Sequence, residues 1–84
     1  MTIILSAQTL GAALRMDRKR MGLTQADLAL AAGVGVRFIV DLEGGKPTMR
    51  LEQVLRVINA LGRSLVLTGL DAETVQAEGD RHAR

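Results

Sequence analysis

The sequence predicts an all-α domain of four to five short helices, and three observations carry that prediction. Close to half of the 84 residues are apolar, yet the chain has a single Phe and no Trp or Tyr. Such a core must be built from Leu, Val, Ile, Ala and Met, which suits packed helices better than sheets rich in aromatic and β-branched residues. Apolar residues recur at helical spacing in four separate segments. Each of those segments ends at or just before a glycine, the residue best able to close a helix in the left-handed conformation.

The first helix is expected over residues 6–22. Ser6 supplies an N-cap oxygen, Leu10, Ala13, Leu14 and Met21 form the apolar stripe, and Gly22 stops the helix. Its last turns carry Arg15, Arg18, Lys19 and Arg20, cations that complement the negative end of the helix dipole. A second, short helix follows Thr24, whose hydroxyl and the Asp27 carboxylate stand at capping-box spacing. Leu28, Ala29 and Ala32 face inward and Gly33 ends it. The third helix starts near Gly35 or Val36 and runs to Glu43, with Ile39 and Leu42 as core anchors. Gly44 and Gly45 close it, and Lys46, Pro47 and Thr48 make a loop in which Pro47 biases Lys46 toward extended backbone.

The fourth helix covers roughly residues 50–61, with Leu51, Val54, Leu55, Ile58 and Leu61 as a strong apolar stripe before Gly62. Ser64, Leu65, Val66, Leu67 and Thr68 then read as a short strand, and residues 2–5 as a second, weaker one. A lone strand leaves its edges unpaired, so this one calls for a partner: the N-terminal segment or the same strand of a second copy. The domain is therefore expected over residues 1–70, followed by an acidic tail at 71–84 that frays or forms one turn of helix around 72–77.

Charge separates along the same boundary. Residues 1–70 hold nine Lys and Arg against five Asp and Glu, whereas 71–84 hold two against four. A basic domain favours polyanions through counterion release. No Cys is present, which rules out disulfides and thiolate metal sites. The one His, His82, lies in the tail, and no carboxylate pair has a catalytic setting, so neither an enzyme nor a bound cofactor is expected. Residues 1–5 are apolar but too short for a secretory signal, and nothing reaches membrane-spanning length, so a cytoplasmic protein with no membrane or small-molecule partner is expected.

Two short helices joined by a glycine turn, with the small Ala29 and Gly33 where they approach, have the outline of a helix-turn-helix. Leu23, Thr24, Gln25, Ala26, Asp27, Leu28 and Ala29, then Gly33, Val34, Ile39, Leu42, Glu43 and Gly45, closely resemble the signature of the Cro/cI-type (XRE) family of phage-repressor-like regulators. The resemblance covers roughly residues 10–70. It implies DNA binding, with the third helix in the major groove.

Residue by residue, the resemblance gives Gln25 a contact to the DNA backbone and a brace for a base-reading side chain; the plainer reading leaves it exposed behind its cap. Thr24 would cap its helix and touch phosphate. Val36, Arg37 and Asp41 match base-facing positions. Arg37 would read guanine through a bidentate pair, or else grip phosphate, and Val36 would pack on a thymine methyl. Asp41 would accept from a cytosine or orient Arg37. Phe38 falls where the family keeps a small polar residue, and either packs on a neighbouring helix or meets the DNA. Lys46, Thr48 and Arg50 match a phosphate-gripping loop. Glu43 matches an acidic residue that pairs, by register, with Arg18.

The segment Leu61, Gly62, Arg63, Ser64, Leu65, Val66 and Leu67 resembles the strand of HipB-like antitoxins, which pairs with its twofold mate. That narrower resemblance implies a homodimer on an inverted-repeat duplex, an operon that the protein represses itself, and a kinase-fold toxin as partner. A stand-alone phage-type repressor and a protein-interaction module with little DNA specificity are the competing readings.

Overall fold

The computed structural model describes residues 3–69, and these hold four helices: α1 (Ala7–Arg20), α2 (Gln25–Ala32), α3 (Val36–Glu43) and α4 (Leu51–Ala60). Helix α1 begins where the Ser6 hydroxyl accepts from the Thr9 backbone N–H at 3.0 Å, and ends with Arg18, Lys19 and Arg20 in its last turn. Helix α2 begins with a complete capping box. The Thr24 hydroxyl accepts from the Asp27 N–H at 3.0 Å while the Asp27 carboxylate accepts from the Thr24 N–H at 2.9 Å. That backbone hydrogen bond holds the Asp27 carboxyl below its ordinary pKa, because it favours the charged form.

Gly33 closes α2 at φ +74°, a conformation that costs a side chain with a Cβ more than it costs glycine. The chain then turns through Val34 and Gly35 directly into α3. Helices α2 and α3 pack on each other, α4 packs on α2, and α1 packs on α3. The core between them is aliphatic, with Leu28, Ile39 and Val57 wholly enclosed and Leu14, Leu42, Val54, Ile58 and Leu61 around them. Each wholly enclosed Leu, Ile or Val side chain contributes about 1.5–3 kcal/mol of transfer free energy.

Two close approaches set the spacing of α1 and α3. Gly11 lies against the end of α3, where an added Cβ would collide with the Leu42 carbonyl oxygen and lie 2.9 Å from that of Glu43. Gly45, at φ +85°, leaves room for the Gln8 side chain, whose Cγ would stand 2.8 Å from a Cβ there. Further down α1, Asp17 accepts from Arg63 through Nε at 2.6 Å and Nη2 at 3.0 Å, tying the segment after α4 back to the first helix. These hydrogen bonds hold the Asp17 carboxyl below the usual carboxylate range against a smaller opposing effect of burial.

The helix expectations agree with these elements to within a residue or two at each end. The stripes differ in detail. Met21 and Leu51 are exposed instead of inward, and Val57 is fully buried although it stands beside the stripe read from sequence. Among the described residues no strand forms. Ser64, Leu65, Val66, Leu67 and Thr68 are all exposed, as are Ile3 and Leu5, and the two segments do not pair. A strand exists only through its ladder, and the described residues of the single chain offer this segment no edge to pair with. Thr2 and the tail at 71–84 lie outside the described residues. Among the described residues no helix is long and apolar enough to cross a membrane.

Candidate nucleic-acid interface

The buried end of the site is a polar network that joins three helices. Arg18 of α1 donates through Nε to Glu43 Oε2 at 2.6 Å, through Nη2 to Glu43 Oε1 at 2.9 Å, and through Nη1 to the Leu23 carbonyl at 2.8 Å. Gln25, the first residue of α2, donates through Nε2 to Glu43 Oε1 at 3.2 Å. The Arg18 and Glu43 side chains are only 9% and 4% exposed, so both charges have left water and depend on each other. The fork-on-fork geometry suits guanidinium and carboxylate, and hydrogen bonding to Glu43 strengthens the hold of Arg18 on its proton. The result is a fixed relation between the start of α2 and the end of α3, the two elements that carry the exposed face.

That face is built from one side of α3 and the loop after it. Val36, Arg37 and Val40 are exposed along α3, and the Arg37 side chain is 84% open to solvent. Arg37 Nε stands 3.2 Å from Asp41 Oδ1, one helical turn on, and Lys46 Nζ lies 3.8 Å from the other oxygen, Oδ2. The Lys46 backbone N–H donates to the Asp41 carbonyl at 3.0 Å, which pins the loop to the helix. Arg37, Val40, Asp41, Gly44, Gly45 and Lys46 together line a shallow groove. Thr24, Thr48 and Arg50 are exposed, and Gln25 is half-buried at the junction with the network.

Phe38 points the other way, half-buried against the aliphatic core. Helix periodicity explains the split: Phe38, Ile39 and Leu42 share the inward side, while Val36, Arg37 and Val40 share the outward one. The structure thus gathers Thr24, Gln25, Val36, Arg37, Asp41 and Lys46 around α2 and α3. The exposed residues 64–68 follow α4. Sequence reasoning passed over Gly11 and the Asp17–Arg63 tie. A glycine inside a helical pattern was the available signal for the first; the second joins residues 46 positions apart and has no local signature.

A protein-family model described as a helix-turn-helix domain matches residues 9–70. An uncharacterized HTH-type transcriptional regulator of Sinorhizobium fredii, y4mF, is 54% identical over 56 residues, which span 67% of this chain and 74% of that protein. Among solved structures, the HipB–O4 20mer complex superposes with a TM-score of 0.77 at 24% identity, covering 84% of this chain and all of the other. The HipA–HipB–O2–O3 complex gives the same values. The clp gene regulator ClgR of C. glutamicum is 36% identical, with a TM-score of 0.65 over 76% of this chain and 82% of its own. With the match running from α1 to beyond α4, the two helices and glycine turn at its centre are the defining unit, and the chain belongs to the helix-turn-helix domain family.

Proposed function

We propose that this protein is a sequence-specific, DNA-binding transcriptional repressor that acts in the cytoplasm as a homodimer. The observation that carries this reading is the exposed face of α3, held in fixed relation to the start of α2 by the buried Arg18–Glu43–Gln25 network. In this reading α3 enters the major groove, with Arg37 and Val36 at base edges. Thr24, Gln25, Lys46, Thr48 and Arg50 hold the flanking phosphates, and Phe38 supports the helix from behind.

The finer role we propose is that of an antitoxin in a type II toxin–antitoxin pair. The protein would bind an inverted repeat in its own operon and a HipA-like kinase-fold toxin. Likeness to HipB, a protein solved in complex with HipA, supports this reading. So does the exposed apolar run Leu65, Val66 and Leu67, which a second copy would cover by pairing residues 64–68 across a twofold axis. The helix-turn-helix domain then ends near residue 70, and the acidic residues 71–84 form a separate tail.

One observation favours a second reading. Val36 and Val40 make the exposed face of α3 partly apolar, as a surface for a protein partner would be. Fluorescence anisotropy separates the two, with full-length protein titrated at two salt concentrations onto DNA from immediately upstream of the gene and onto a scrambled duplex. The repressor binds the upstream duplex at least about a thousandfold more tightly than the scrambled one, and binding weakens with salt. Equal, weak binding to both duplexes removes autoregulation and turns the search to a protein partner for α3.

A further inference from the structure

We propose that Asp41 is a specificity-determining residue: it holds Arg37 for guanine and penalises the use of the same face on arbitrary phosphates. This rests on the DNA-binding reading above. The surface read as DNA-facing offers three cations, Arg37, Lys46 and Arg50, and one anion set among them. On a face that meets phosphates, a carboxylate is a cost to every complex. The geometry indicates why it is there.

Asp41 Oδ1 stands 3.2 Å from Arg37 Nε, an ion pair that lies on the stem side of the guanidinium. Its outer edge, Nη1 and Nη2, is the edge that forms a bidentate pair with the O6 and N7 of guanine. The side chain can make that pair without leaving Asp41. A phosphate approached from the helix flank makes the opposite demand, because Arg37 must turn away and the Asp41 charge is left facing the backbone. The second oxygen of Asp41 lies 3.8 Å from Lys46 Nζ, so the same carboxylate also attracts the loop cation. The penalty falls on the sequence-independent complex more than on the sequence-specific one, which is discrimination by making the wrong complex worse. The ion pair itself adds little to folding, since Arg37 is solvated and i,i+4 pairs of this kind are weak. Its substitution therefore leaves the scaffold in place.

The test begins with full-length wild type and duplexes that it enriches from a random-sequence library. Dissociation constants are then measured on one enriched duplex and its scrambled counterpart over a range of salt, for wild type, Asp41→Asn, Arg37→Ala and the double variant. Thermal melts establish that each variant is folded. In Asp41→Asn the scrambled duplex binds more tightly and the enriched duplex no more tightly than in wild type. The preference between them falls about tenfold, within the range of one bidentate arginine–guanine pair. The log–log salt slope on scrambled DNA steepens by about 0.9, the value of one further phosphate contact. In the Arg37→Ala background the same change leaves the preference unaltered.

Equal tightening on both duplexes overturns the proposal and makes Asp41 a general charge. Loss confined to the enriched duplex overturns it in favour of a direct contact from Asp41 to a base. A preference change that persists without Arg37 also overturns it. Wild type that enriches no sequence defeats the DNA-binding reading itself, so the wild-type and variant arms judge the two claims separately.

Discussion

Asp41 and Glu43 are neighbours on α3, two residues apart, and each carboxylate stands beside an arginine, yet the two pairs live in different solvents. Around Glu43 the side chains of both partners are more than nine-tenths enclosed, and four hydrogen bonds link Arg18, Glu43, Leu23 and Gln25. Around Asp41 the arginine is solvated and the lysine stands near the limit of an ion pair. In the interior an ionised group cannot do without its partner, so the Glu43 network fixes geometry. On the surface water takes either partner at little cost, so the Asp41 pair can open when another ligand is offered. The helix thus carries an anchor and an exchangeable contact within one turn.

Removing one carboxylate at a time tests that contrast. Glu43→Ala strands the Arg18 guanidinium in the interior and should cost about 3–5 kcal/mol. A domain of this size has a small core and modest total stability, so urea denaturation should find the variant largely unfolded at room temperature. Asp41→Asn should leave the unfolding free energy from the same titration within about 0.5 kcal/mol of wild type, as surface substitutions do. Comparable losses in the two variants would break the distinction between anchor and contact.

Gly11→Ala attacks the anchor from the other side. Helix propensity alone would favour Ala by about 1 kcal/mol. The added Cβ, however, meets the Leu42 and Glu43 carbonyls at the end of α3. Because those are backbone atoms, α1 must move away, and a net loss of about 1–3 kcal/mol is expected from overpacking. A stabilised Gly11→Ala variant would show that the approach of α1 to α3 is slack.

The smallest effect concerns Asp17. Hydrogen bonds from Arg63 lower its pKa in the folded chain, so its contribution to stability is present above the unfolded carboxylate pKa and is lost as pH falls through the lower, folded value. A carboxyl titration by NMR should find the Asp17 midpoint below the ordinary aspartate range, and Arg63→Gln should move it back up. An unchanged midpoint in that variant would remove Arg63 as the cause.

What sequence alone could reveal follows the range of each interaction. The capping box of Thr24 and Asp27 spans three residues and was legible, as were the glycine that closes α2 and the inward positions of Ile39 and Leu42. These depend on local spacing. Val57 was passed over and Leu51 overvalued, because the apolar stripe of α4 is wide and only the packed partners decide which edge of it is covered. The role of Gly11 depends on carbonyls more than thirty positions away. The extended reading of 64–68 rested on β-prone residues, but a ladder needs a second strand, and none is present among the described residues. At the candidate interface, Thr24, Gln25, Val36, Arg37, Asp41 and Lys46, named from sequence, come together around α2 and α3. The sequence could not reveal that Asp41 lies within ion-pair reach of Arg37 and Lys46 together.

Phe38 gives the molecule a spectroscopic consequence. It is the only phenylalanine in a chain without tyrosine or tryptophan, and it packs on the core from the inward side of the helix that bears Arg37 and Asp41 on its outer face. Biosynthetic replacement with fluorophenylalanine would give a single ¹⁹F resonance, with no second phenylalanine to overlap it. Its chemical shift would respond to the seating of α3, and its linewidth to exchange of that helix between free and bound arrangements. The protein has no tryptophan to lend it fluorescence, but it places one clean reporter directly behind the surface whose partner is to be found.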